Sequence, residues 1–265
     1  ALPLLPDGTV LDGEILAWRD GRPLPFSALQ RRIGRKRLTD KVLAEAPAVF
    51  MGYDALEVAG ADAREAPLAE RRRHLEGLLG SGRPFLLVSP RIPALAWADL
   101  ERAREEARDR GVEGLMLKRL ESPYRTGRKR GDWWKWKITP FTVDAVLVYA
   151  QSGHGRRANL LTDYTFAVWS EGELVPIAKA YSGLSDEEIV ALDAWLRRHT
   201  VQKFGPVRAV EPVQVFELAF EGIALSPRHK SGIAVRFPRI ARWRTDKTAA
   251  EADTLDGIRR LLEAR

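Results

Sequence analysis

The chain has 265 residues, no cysteine and a formal net charge of +7. That length suits one large domain or two ordinary ones with a real core, and the lack of thiols excludes disulfides and thiolate metal sites, as expected in a reducing compartment. No apolar run approaches the roughly 20 residues that a membrane-spanning helix needs, and the N-terminus does not have the layout of a secretory signal.

In chain order, TVLDGEILAW sets Leu11, Ile15 and Ala17 on one face and Asp12 and Glu14 on the other, the alternation of a half-buried strand. RDGRP is a tight turn. AVFMGYDALEV, residues 48 to 58, is largely apolar and predicts a central strand carrying Tyr53 beside Asp54. Helical patterns over 66 to 80 and 96 to 110 flank a strand FLLVS, the first ending in a glycine stop. A strand EGLMLKRL comes next. WWKWK, residues 133 to 137, read as a strand, puts Lys135 and Lys137 on one face and Trp134 and Trp136 on the other. Inward tryptophans would then anchor it and leave two cations side by side.

From Pro140 the texture changes. Strands VDAVLVYAQ, DYTFAVWS and LVPIAKAYS precede a helix with Ser185 as N-cap and Glu188 three residues on, a capping-box pattern. Strands VQVFELAFEGIAL and GIAVRFPRIARW close the set. About five short strands around one helix predict a small barrel of the OB type, with Pro140 as the domain boundary.

Charge is concentrated in two windows. Residues 118 to 137 carry eight Lys/Arg against two acids, and residues 228 to 247 carry seven against one. Each window is compatible with polyanion binding or with a solvated face. Compact cations held on a rigid strand suit phosphate. The carboxylates of Glu113 and Glu14, each on its own strand, suit Mg²⁺ or an ordinary strand-end position. Tyr53 suits a base-stacking platform or the core.

Taken together and in order, LDGEIL, FMGYDAL, EGLMLK, WWKWK and RFPRIARWRTDK resemble the motif series of the covalent nucleotidyltransferases, most closely the ATP-dependent DNA ligases. The resemblance runs from Asp12 to Lys247. It implies an α+β fold: a partial adenylation (nucleotidyltransferase) domain over 1–139, with antiparallel sheets and helices and without its N-terminal segment, followed by an OB-fold β-barrel with a C-terminal helix over 140–265. The reaction implied is nick sealing in duplex DNA with ATP and Mg²⁺, through lysyl-AMP and DNA-adenylate. By the same resemblance Glu14 contacts the ribose or the metal, Tyr53 sandwiches adenine, and Glu113 positions the metal. Lys135 and Lys137 hold the α-phosphate, and Lys118 joins the nucleotide contacts. Arg236, Arg239, Arg244, Asp246 and Lys247 act on the triphosphate from the OB domain, with Arg242 in the same motif. Arg125, Arg128, Lys129 and Arg130 bind the DNA backbone, contacts that position a duplex without reading sequence.

One part of the family pattern is missing. The nucleophilic lysine of the family lies in K-x-D-G-x-R ahead of the LDGE strand, and no lysine here has that context. The chain is therefore expected to be the C-terminal part of a longer catalytic core, unable by itself to form the lysyl-AMP adduct. The parent is expected to be a monomeric, cytoplasmic, prokaryotic enzyme without membrane contact. An RNA ligase, a capping guanylyltransferase or a non-catalytic OB module that binds nucleic acid stays open as an alternative.

Overall fold

The computed structural model describes residues 5–80, 83–127 and 129–263. The chain forms two compact units, Ala1–Ile138 and Thr139–Arg265.

In the first unit β1 (Val10–Arg19) and β2 (Arg22–Pro23) make a tight hairpin, and two short helices, α1 (Phe26–Gln30) and α2 (Asp40–Glu45), follow it. The central strand is β3 (Ala48–Val58), which turns into β4 (Ala61–Asp62) and leads to α3 (Leu68–Leu79). β5 (Leu86–Val88), α4 (Trp97–Glu105), β6 (Gly114–Lys118) and β7 (Trp133–Lys137) complete the unit. β3 pairs antiparallel with β1 and parallel with β5. α3 turns Leu68, Leu75 and Leu79 onto this sheet, where Ala55 and Leu86 complete a small core. β6 and β7 form a separate antiparallel pair.

Three expectations change here. Ile15 is 60% exposed, although Leu11 packs partly buried against the core and Ala17 is buried; the half-burial read from the alternation fails at Ile15. The helix expected over 96 to 110 stops at Glu105. Only Ala107 of residues 106 to 111 is buried, so little packing fixes a further turn, and Gly111 at φ 70° redirects the chain. Trp134 is half exposed rather than an inward anchor.

The second unit runs β8 (Phe141–Ser152), β9 (Leu161–Ser170), β10 (Glu173–Ala180), α5 (Asp186–Arg198), β11 (Thr200–Phe204), β12 (Val207–Val210), β13 (Val215–Phe220), β14 (Gly222–Leu225), β15 (Ile233–Arg236), β16 (Arg239–Trp243) and α6 (Leu255–Glu263). β8 organises it. Its first half, up to Val146, pairs with β13; residues 149 to 151 pair with β12; and β9 covers most of the other edge. A strand shared among three partners curls the sheet into a half-barrel of the OB type, as the fold expectation had it. Leu147, Phe166, Phe216 and Leu218 fill it, together with Leu192 and Leu196 from α5, whose N-terminus carries the expected Ser185–Glu188 capping box.

Among the described residues this unit has more strands than the five expected. The two long C-terminal runs each break in two, at Glu221 and at Phe237–Pro238, and the β11–β12 hairpin around Gly205–Pro206 is additional. Phe237 adopts φ 52° at its break, a left-handed conformation in which a regular ladder cannot continue.

Candidate active site

β1 and β3 bring the first group of side chains together. Asp12 lies opposite Asp54 and Gly13 opposite Gly52, so Tyr53 is the extra residue of a bulge. Such an insertion re-aims a side chain. The Tyr53 hydroxyl donates to Glu14 Oε2 at 2.8 Å. Burial, then the hydrogen bond and charge of Glu14, push the Tyr53 pKa above its ordinary value, so the phenol stays a donor at neutral pH. Gly52 beside it lets Leu79 approach closely: a Cβ there would meet Leu79 Cδ1 at 2.7 Å, and that leucine would have to shift.

Asp54 is fully buried, as is its partner Arg71 on α3. Arg71 Nε and Nη2 donate to the two carboxylate oxygens at 2.8 and 2.9 Å, a bidentate fork. Removing one partner of such a buried pair typically costs ~3–5 kcal/mol.

The β6–β7 hairpin carries the cations. Its register sets Lys118 opposite Trp133, Met116 opposite Lys135 and Gly114 opposite Lys137, so Lys118, Lys135 and Lys137 share one face. Lys118 Nζ lies 3.9 Å from the centre of the Trp133 ring. Burial lowers its pKa below the usual lysine value, while the charges of Asp54 and Asp12 oppose the shift. The lysine end of the hairpin thus faces the two acids of the β1–β3 pair. Tyr124 strengthens that link: its hydroxyl donates to Asp12 Oδ2 at 3.2 Å, and its ring packs edge-on against Trp133.

Strand parity alone sets Glu113 on the face away from Lys137, yet Lys137 Nζ is 2.9 Å from Glu113 Oε2. Gly114 accounts for this. At φ 135° it interrupts the alternation and lets the backbone before it turn back, and a Cβ at Gly114 would lie 2.3 Å from the Trp136 carbonyl oxygen. On the other face Trp136 packs edge-on against Trp97, with the Arg104 guanidinium 5.3 Å from its ring centre. Arg104 Nε also donates to Lys137 O at 2.7 Å, which holds that end of β7.

Arg125, Lys129, Arg130 and Lys135 are exposed and have no acidic partner among the described residues; Arg128 lies outside them.

The second basic window reads differently in three dimensions. Arg239 pairs with Glu221 at 2.9 Å and Arg242 with Glu217 at 3.4 Å. Arg244 Nη1 donates to both oxygens of Asp144, at 2.8 and 3.0 Å, while Nε and Nη2 fork onto Asp246. Lys247 Nζ is 2.6 Å from Asp144. The hydrogen bond from Arg244 holds the Asp246 carboxyl below the usual carboxylate range. Arg236 lies over the Phe237 ring at 4.8 Å. Much of the charge read from residues 228 to 247 is therefore met by acids outside that window.

Asp12, Asp54, Arg71 and Tyr124 in the first unit, and Asp144 in the second, are partners of the motif residues or their neighbours that the motif reading did not single out. Arg71 had a signal: it falls on the apolar stripe of α3 with Leu68, Leu75 and Leu79, where a charge needs a partner. Asp144 had a weaker one, as the only acid in an otherwise apolar strand start. Among the described residues no group of three or more His, Cys, Asp or Glu could hold a metal ion, and no helix is long and apolar enough to cross a membrane.

The family model "ATP dependent DNA ligase domain" matches residues 2–137, and "ATP dependent DNA ligase C terminal region" matches residues 157–247. The chain is 41% identical to a probable DNA ligase of Koribacter versatilis, over 97% of its own length and 48% of that protein. It is 39% identical to a DNA ligase of Methanoculleus marisnigri, over 94% and 44%. The chain thus spans less than half the length of these relatives. Among solved structures, a Lig E DNA ligase aligns with a TM-score of 0.61 at 21% identity, covering 88% of this chain and 76% of that one. A chain designated Pmar-Lig_Pre aligns at 0.64 and 18%, covering 89% and 51%. At these identities the two structures speak to the fold alone.

Proposed function

This chain belongs to the ATP-dependent DNA ligase family, and from that premise we propose that it supplies nucleotide and DNA contacts of an enzyme that seals nicks in duplex DNA. The observation that carries the reading is the convergence within the first unit. Tyr53 and Glu14 are bonded on one sheet, and the Lys118 end of a hairpin that also carries Lys135 and Lys137 is tied to Asp12 of that sheet through Trp133 and Tyr124.

In the proposed reaction a lysine attacks the α-phosphate of ATP, forming lysyl-AMP and releasing pyrophosphate. AMP passes to the 5′-phosphate at the nick, and the 3′-hydroxyl then displaces it. The Tyr53 ring stacks on adenine while its hydroxyl orients Glu14 toward the ribose. Lys135 and Lys137 offset charge on the transferring phosphorus, the electrostatic work that dominates such chemistry. Mg²⁺, which takes one or two carboxylates together with substrate phosphates rather than an all-protein cage, fits the donors offered by Glu113 and Glu14 and would add Lewis-acid stabilisation. Arg236, Arg239, Arg244, Asp246 and Lys247 serve the triphosphate and its leaving pyrophosphate. Arg125, Arg128, Lys129 and Arg130 hold the DNA backbone.

The test is sealing of a singly nicked, end-labelled duplex by the full natural protein with ATP and Mg²⁺, against joining of single-stranded RNA ends. Nick sealing is the expected result. RNA joining in its place, or no joining of either substrate, refutes the proposal.

A further inference from the structure

Arg71 has no exposed surface, yet it stands where α3 would otherwise place another leucine. A packing role needs no charge there, and neutralising Asp54 needs only one. The guanidinium does more. Besides its fork on Asp54, Nη1 donates to the carbonyls of Ala66 and Ser122, the latter at 2.9 Å. One rigid, planar group therefore holds β3, the turn before α3 and the segment after β6.

That third segment leads directly to the basic loop. Its carbonyls at Ser122 and Leu120 accept from Leu68 N and Ala69 N, both at 2.9 Å, in the first turn of α3. Tyr124 sits with its ring 5.9 Å from the Arg71 guanidinium and its hydroxyl on Asp12. Asp12 in turn lies opposite Asp54 across β1 and β3. Asp54, Arg71, Tyr124 and Asp12 thus close a circuit. Tyr53 adjoins it at Asp54, Glu14 is two residues beyond Asp12, and Arg125 adjoins Tyr124.

We propose, resting on the ligase reading above, that Arg71 is a positioning residue shared by both substrates. By fixing Asp54 it sets the bulge that aims Tyr53 at the nucleotide, and by fixing Ser122 and Tyr124 it sets where Arg125 and the cations after it meet DNA.

Arg71→Lys tests this in the full natural protein, because a lysine keeps the charge beside Asp54 but cannot bridge three segments. The KM for ATP and the Kd for nicked duplex are both expected to rise roughly tenfold, about 1.4 kcal/mol of binding. The salt slope of DNA binding is expected to stay native, since no phosphate contact is deleted. Tyr124→Phe, which removes only the bond to Asp12, is expected to move both constants the same way by roughly two- to threefold, and it decides the matter if Arg71→Lys does not fold. A folded Arg71→Lys protein with either constant within twofold of native, or Tyr124→Phe with neither constant moved, overturns the proposal. Those outcomes are read in a protein that seals nicks; absence of sealing by the native protein instead overturns the ligase reading itself.

Discussion

Replacing Gly114 by alanine separates the geometry of the candidate site from its composition, because no charged group is touched. The new Cβ would stand 2.3 Å from the Trp136 carbonyl oxygen and 2.7 Å from Lys137 Cα, where real contacts do not fall below 3.0 Å. The β7 backbone must therefore retreat by about 0.7 Å, the difference between 3.0 and 2.3 Å, at the residues that carry Lys137. A φ of 135° adds strain for any L-residue, typically ~1–3 kcal/mol, and a weakened ladder bond adds ~1 kcal/mol. Together these predict a loss of about 2–4 kcal/mol in urea unfolding of the full natural protein. Sealing turnover is expected to fall ~10- to 100-fold as Glu113 and Lys137 lose their alignment. Gly127→Ala is the control: it shares a positive φ, 73°, but among the described residues no heavy atom beyond its chain neighbours lies within 4 Å of where a Cβ would stand, so only ~1–2 kcal/mol is expected. A Gly114→Ala protein within ~0.5 kcal/mol of native and with native turnover would refute the reasoning.

Glu113→Gln and Lys137→Ala should each leave the melting temperature nearly unchanged, because the pair is 33% and 42% exposed and such pairs contribute under ~1 kcal/mol. Each should cut sealing by ~10²-fold, and native turnover in either variant removes that residue from the site. Lys118 is charged only below its pKa, which burial holds under 10.5. Nucleotide affinity should thus begin to fall at a lower alkaline pH than an ordinary lysine would give, and Lys118→Arg should move that limb upward in a titration of ATP binding. An unmoved limb would exclude Lys118 as its source. In the second unit the Tyr164 hydroxyl is buried with no hydrogen-bond partner among the described residues, so Tyr164→Phe should be neutral or stabilise by ~1 kcal/mol in thermal unfolding. A clear loss of stability would show that the hydroxyl is satisfied.

The sequence by itself determined what depends on short-range periodicity. The largely apolar run of residues 48 to 58 marks β3, the alternation of 133 to 137 marks β7, the leucine stripe marks α3, and Ser185 with Glu188 marks the start of α5. These signals are legible because a strand or helix repeats every two or 3.6 residues. The ordered motifs added the family. The tertiary structure alone decided which charges are paired. Arg244 and Lys247 meet Asp144 a hundred residues away, and Arg71 meets Asp54 and Ser122 from three separate elements. No local pattern encodes such partners, because they are set by which strands lie side by side. It alone also decided the side on which Glu113 stands, since one glycine at positive φ reverses the parity that the letters imply. Strand breaks at Glu221 and Phe237 lie inside longer apolar runs: the change of partner, β13 to β8 and β16 but β14 to β15, divides the first, and a left-handed Phe237 ahead of Pro238 divides the second.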